Sequence, residues 1–486
     1  MNPAKSLSSV LCLTLVIGLT GCKSAPYVKD RVPPPPAVAP ADAAPLSVGV
    51  LLFDYDPESV SITAAEAQQQ AMAAQTQSTQ PASAQPSPGE PQVLQDPGRV
   101  HESIRRAESY YLAELLKNRI AESPYFSDVK VVPDETEHFD LIVATRVVRS
   151  NGHDVELLVT VTDSRQEVWL EREQFRTRPI ASSSFILQKD AQGNDQMDTD
   201  PYAFVFDVIT KEIEGATPAS PEAFDQITQV TTLRYASDMS PAAFPQERYI
   251  LAGKQTPGAS LSPGSLPSDA DPNFQRIRQV RANEQQALER FAAYYSGGHD
   301  TVQMPYFYWR RDNREAVEYY NDVKKEISDA KMLATAQFGL KAILAIFLGD
   351  NTEEKAVIAA AILIEMVDIG EDGRITLDPG NLDENFRRVF QAAKEKEKLV
   401  EATAERMTDL GNAFATYVEP ITVQIGERTL TFSGKVDEQF TQVRGLLREI
   451  YAKETGFDVP EDAPAEAFNS PVVPRVAHAR AINNGS

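Results

Sequence analysis

Four stretches of this 486-residue chain are too poor in large apolar groups to build a core, and they fix where folding can happen. Residues 22–45 are rich in proline and alanine, and the run Pro33 to Pro36 predicts an extended polyproline II stalk. Residues 64–98 carry Gln, Ala, Ser and Pro with few large apolar side chains. Such a composition does not offset the entropy lost on ordering, so a disordered insertion is expected there. The Pro/Gly/Ser-rich stretch 254–272 reads as a linker, and 459–486 as a disordered tail. Two foldable segments remain, 46–253 and 273–458, each long enough to bury a core.

The first segment alternates strand and helix patterns. Leu46 to Phe53 is an apolar, β-branched run that suits a buried strand. Ile104, Ala107, Tyr111, Leu115, Leu116 and Ile120 fall at helical spacing within 101–122. Short strands are expected at Val129–Val132 and Phe139–Val148, with Asn151-Gly152 as a turn. A hairpin is expected from Val155–Thr162 and Glu167–Phe175 about Ser164-Arg165, then a helix from Pro201 to Ile213 and a strand from Gln229 to Tyr235.

The second segment reads as mainly helical. Asp271-Pro272 opens a helix over 273–295, a charged helix covers 314–330, and apolar helices at 332–348 and 356–367 predict an αα-hairpin. Lys341 interrupts the first apolar run, and the second, of about 12 residues, falls short of the about 20 that a membrane-spanning helix needs, so a buried core hairpin is expected. One or two helices over 382–418, a small β-hairpin at 421–433 and an amphipathic helix at 438–454 complete the segment, the last pointing Phe440, Val443, Leu447, Ile450 and Tyr451 inward. The fold expected is α+β: an amino-terminal α/β sandwich domain with a mixed sheet, then a mainly helical domain.

The first 21 residues belong to neither. Lys5 precedes an apolar run from Val10 to Leu19, too short to span a bilayer, and the run closes on Leu19-Thr20-Gly21-Cys22. This phrase resembles the lipobox of bacterial lipoproteins. The resemblance implies cleavage before Cys22, acylation of that cysteine and anchorage in one leaflet, firm because several chains insert. Lys23, in place of an aspartate, points to the outer membrane facing the periplasm of a Gram-negative bacterium. The chain's other cysteine, Cys12, lies in the part to be removed, so neither a disulfide nor a thiolate metal site is expected. The net charge of −23 argues against nucleic acid, which requires a concentrated basic face.

The order of elements over 46–215, with the phrases VGVLLF, YLAELLKNRI, SPYFSDVKVV, FDLIVATRVV and TVTDSRQEVWLEREQF, resembles the auxiliary lipoproteins of ABC-type transport systems. It is more remotely similar to the amino-terminal domain of TolB and to curli-type secretion-channel lipoproteins. What the resemblance implies is a fold and a role in binding partner proteins or assembling envelope machines; no catalytic set carries over.

The residues themselves offer little chemistry. His101, His138, His153, His299 and His478 are isolated, without metal-ligand spacing, and read as surface or turn residues; neither a G-x-S-x-G elbow nor a phosphate loop occurs. Tyr306, Phe307, Tyr308 and Trp309, followed by Arg310 and Arg311, form a candidate partner-binding cluster; the alternative is that they anchor a loop to the core. Asp368 and Asp372 match two positions of a calcium loop, but Gly370 and Pro379 stand where further ligands are needed, so a degenerate turn is expected. No cofactor is expected. The function expected is that of an acylated, non-catalytic tether or auxiliary factor for an envelope complex. The alternatives are an enzyme acting on cell-wall polysaccharide and an oligomeric secretion-channel component.

Overall fold

The structure, a computed structural model, describes residues 44–56, 92–94, 100–178, 187–189, 191–193, 195–197, 199–246, 250–252, 261–348, 367–369, 375–377, 388–396, parts of 398–409, 421–425, 428–432 and 436–457. The signal segment, Cys22, nearly all of the stalk, most of the insertion and the tail lie outside these residues. All of the described residues fall in the unit 33–486.

The amino-terminal part places β1 (Leu46–Leu51), β2 (Asp54–Tyr55), β3 (Gln92–Leu94), α1 (Glu102–Ala121), β4 (Phe126–Val132), β5 (Leu141–Ser150), β6 (Val155–Asp163) and β7 (Val168–Thr177) in order. The sheet runs β4-β1-β5-β6-β7, with β2 pairing β5. It is mixed: β1 lies parallel to both β4 and β5, whereas β5, β6 and β7 form an antiparallel meander. Thus β1, α1 and β4 make a parallel crossover unit, and one apolar face per strand explains the alternating burial along β5. Leu46, Val48 and Val50 of β1, Leu141 and Val143 of β5, and Leu157, Val159 and Val161 of β6 meet Ile104, Ala107, Tyr111 and Leu116 of α1 in the core.

Short pairs follow: β8 (Leu187–Lys189) with β9 (Asp195–Met197), and, after α2 (Ala203–Gly215) and α3 (Pro221–Met239), β10 (Ile250–Ala252) with β11 (Leu261–Pro263). The strand expected from Gln229 to Tyr235 is instead part of α3. Ser220 caps the helix by accepting from the Ala223 N–H, and Pro221 occupies its first turn. These signals outweigh the β-branched composition of the short run. The stretch read as linker is also partly structured, since β11 lies within it.

The larger difference is α4, a single helix from Pro272 to Leu348, 77 residues and about 115 Å long. Asp271 starts it by accepting from the Asn273 and Phe274 N–H groups. The sequence reads instead as separate helices over 273–295, 314–330 and 332–348, with the aromatic cluster between the first two; Pro305 lies within the observed helix. A proline inside a helix removes one N–H and crowds the preceding turn. Here Val302, Tyr306, Trp309, Val317 and Tyr320 keep the helical period on both sides of Pro305 and are all buried. Tertiary packing therefore carries the helix through the break.

The chain ends with β12 (Val367–Ile369), β13 (Ile375–Leu377), β14 (Ile421–Ile425), β15 (Arg428–Phe432) and α5 (Val436–Thr455). β14 and β15 form an antiparallel hairpin, and β13 pairs with both β12 and β3. Residues 92–94, expected to be disordered with the rest of the insertion, therefore form a strand against a distant part of the chain. Of the second apolar helix expected, at 356–367, residues 356–366 lie outside the described residues and Val367 opens β12. Phe291 and Tyr295 of α4 and Phe440, Val443 and Leu447 of α5 join the same hydrophobic cluster as the sheet and α1. The composition break at 254–272 thus separates two stretches of sequence that build one core. No helix among the described residues is long and apolar enough to cross a membrane.

Candidate functional site

The cluster at 306–311 lies on α4 and faces inward. Tyr306, Phe307, Trp309 and Arg310 are buried, while Tyr308 and Arg311 are half-exposed. The Tyr306 ring stacks on Trp309 with centroids 5.7 Å apart, and Arg310 packs over the rings of Tyr306, Tyr202 and Tyr111 at 4.4, 4.7 and 5.5 Å. Its guanidinium forks onto Asp200, with Nη1–Oδ1 at 3.1 Å and Nη2–Oδ2 at 2.6 Å, and the Tyr111 hydroxyl donates to the same carboxylate at 2.6 Å. Beside it, Glu108 accepts from Arg105 at 2.6 Å and from the Tyr306 hydroxyl. Burial opposes ionisation of Asp200, yet the Arg310 charge overrides it and holds the carboxyl below its ordinary range. Burial likewise pushes the Tyr306, Tyr111 and Tyr202 hydroxyls up, so they stay protonated.

The turn at Asn151-Gly152 seats this segment. Asn313 donates to the Asn151 carbonyl at 2.9 Å, and Gly152 adopts a φ of 79° against the Arg310 backbone. A Cβ there would collide with the Arg310 carbonyl oxygen and lie 3.0 Å from the Arg314 nitrogen. The arrangement locks a helix to a sheet. Only Tyr308 and Arg311 of the cluster are left for a partner, and Tyr308 already donates to Asp195 at 2.7 Å. The hollow beside Asp200 measures about 160 Å³, below the about 300–1,000 Å³ of ligand pockets.

A second buried cluster ties α5 to the rest. Arg444 lies 3.3 Å from Glu284, 2.5 Å from Asp238 and 3.3 Å from Glu137. Burial raises the Glu284 carboxyl, but the Arg444 charge dominates and brings it to about 2. His138, expected at the surface or in a turn, is buried with Nε2 2.8 Å from the Gln285 side-chain Oε1. His299 is buried too, stacked on Tyr111 at 4.6 Å. Among the described residues no three His, Cys, Asp or Glu side chains come together as a metal site. Asp368 lies in β12, paired with Thr376, and Asp372 lies outside the described residues.

The open feature is a cleft of about 580 Å³ between α3 and the start of α4, closed at one side by Leu266–Asp269 and by Ala44, the first of the described residues. Two helical stripes form its walls. Asp225, Thr228, Gln229 and Thr232 recur along α3 at the spacing of one helix face, and Phe274, Ile277, Arg278 and Arg281 do so along α4. Phe274, Ile277 and Tyr235 are buried and make the floor. Arg281 is committed to structure, donating to the His138 carbonyl at 2.6 Å and to Thr232 at 3.4 Å. Arg278 is exposed, lies 4.7 Å over the Phe274 ring and pairs with the well-exposed Asp269. Asp225 makes no ion pair among the described residues and is exposed.

Sequence reasoning missed this cleft because the α3 stripe was hidden in a presumed strand. The signal that exposes it is Ser220-Pro221, a capped helix start whose register then places residues 225, 228, 229 and 232 on one face. No protein-family model matches the chain, and neither a curated protein nor a solved structure matches it.

Proposed function

We propose that this protein is an outer-membrane lipoprotein of the periplasm, acylated at Cys22, that serves as a non-catalytic tether or auxiliary factor for an envelope complex engaged in transport or secretion. The carrying observation is the Leu19-Thr20-Gly21-Cys22 phrase after a short apolar run. Acyl chains hold the domain near the membrane, and the proline-rich stalk sets its reach. Confinement then raises the effective concentration of its binding surface for a neighbouring partner.

The disposition of charge supports a binding rather than a catalytic role. Catalytic acids need access to a substrate and a carboxyl free to change protonation. Glu108, Asp200 and Glu284 are instead sealed from solvent and matched to Arg105, Arg310 and Arg444. The resemblance of 46–215 to transport-auxiliary lipoproteins agrees with this reading.

Brief crosslinking in cells, followed by gentle solubilisation and native mass measurement, tests the proposal. A monomer carried with transport or envelope-assembly proteins is expected. A large homo-oligomeric ring would sink the tether in favour of a channel component. Cys22→Ala should move the protein from the membrane fraction to the soluble one, and retention on the membrane would refute the acyl anchor.

A further inference from the structure

We infer that the cleft between α3 and α4 is a binding site for a short extended peptide with free termini, its carboxylate taken by Arg278 and its ammonium by Asp225. This goes beyond the tethering role and stands without it, since it rests on the cleft alone.

Size comes first. The cleft volume of about 580 Å³ lies within the range of ligand sites. The α3 stripe from Asp225 to Tyr235 extends about 15 Å at helical rise, which matches about four residues of extended chain. The buried Phe274, Ile277 and Tyr235 offer an apolar floor for side chains. Thr228 and Gln229, on the wall, are polar groups suited to a peptide backbone, whose N–H and carbonyl groups need partners when removed from water.

Charge supplies the class of ligand. Arg278 has a planar fork able to take a carboxylate through two bonds, and its contact with Phe274 pre-orients it. Its partner Asp269 is 84% exposed, and ion pairs this exposed are weak, so an incoming carboxylate can displace it. Asp225 faces the same cleft as an exposed acid without an ion-pair partner among the described residues, ready for a cation. An anion alone would be repelled by Asp225 and Asp269, and a cation alone by Arg278 and Arg281. A ligand carrying both charges at its two ends satisfies the cleft. A short peptide released from a protein and one released from the cell wall share this chemistry.

The test is calorimetric titration of the full chain with tetra-alanine, with the same peptide acetylated and amidated, and with a tetrapeptide ending in D-alanyl-D-alanine. The free-ended peptide should bind at least tenfold more tightly than the doubly capped one. Arg278→Gln and Asp225→Asn should each weaken it about tenfold. Arg278→Gln should leave the affinity of a C-amidated peptide unchanged, which a general loosening of the cleft would not. Melting curves of both variants check that the fold is intact, as expected at exposed positions. A preference for the D-ended peptide would identify the wall as the source, and a preference for the L-peptide a fragment released from a protein. Equal binding of free and capped peptides, or no binding of either at millimolar concentration, would overturn the proposal.

Discussion

One helix, α4, carries two arginine-aromatic arrangements with opposite fates. At Arg310 the guanidinium is fully buried, forked onto Asp200 and enclosed by three tyrosine rings. At Arg278, about nine turns earlier, it lies over one phenylalanine, exposed, with a solvated aspartate as its partner. Residue type does not distinguish these sites; surroundings do. A buried charge must be matched completely, and once matched it is structure, unavailable for exchange. An exposed charge with a weak partner retains the freedom to bind something else.

The comparison breaks most visibly if the inner charge is removed. Arg310→Ala leaves Asp200 buried without its cation and should cost about 3–5 kcal/mol in chemical denaturation, close to abolishing the fold. The double variant Arg310→Met with Asp200→Leu should recover much of that loss, because it removes both desolvated charges. A loss under about 1 kcal/mol for Arg310→Ala would mean that the buried pair is not structural.

Gly152→Ala should cost about 3 kcal/mol, since the left-handed φ of 79° and the collision with the Arg310 carbonyl act together. Its denaturation midpoint is the readout, and a neutral effect would show that α4 does not seat on the turn.

The Arg444 cluster gives a pH dependence with a definite sign. Glu284 titrates at about 2 in the folded protein against an ordinary 4.5, so the unfolded chain binds more protons between those values. Stability is fully present above about pH 5 and falls as pH drops from 4.5 toward 2. Glu284→Gln should be less stable at neutral pH and show a shallower decline over that window. An unchanged slope would remove Glu284 from the cluster's energetics.

The smallest effect is expected at the outer arginine. Arg278→Gln should change stability by no more than about 0.5 kcal/mol, as exposed pairs contribute little. A larger loss would make Arg278 a structural residue and erase the contrast with Arg310.

Most elements of the first segment were legible because local pattern and tertiary need coincide there. The alternation in β5 and β6 and the helical spacing from Ile104 to Ile120 are the ones a sheet with one covered face requires. The failures are specific. Val230-Thr231-Thr232-Leu233 has strand-like composition, yet the Ser220 cap sets a helix. Residues 296–313 read as a gap between two helices, yet packing on both sides of Pro305 holds one helix through them. Residues 92–94 have no core of their own and become a strand only through β13, some 280 residues away in sequence.

By itself the sequence determined the α+β class, the alternation of strands and helices about α1, and which stretches lack the apolar content to fold unaided. These follow from periodicity and composition, which are local. Only the tertiary structure decided that both segments share one core, that α4 runs unbroken, and which arginine faces inward. Those outcomes depend on contacts between residues far apart in the chain, and the energy of burying or matching a charge is set by neighbours that the local sequence does not name.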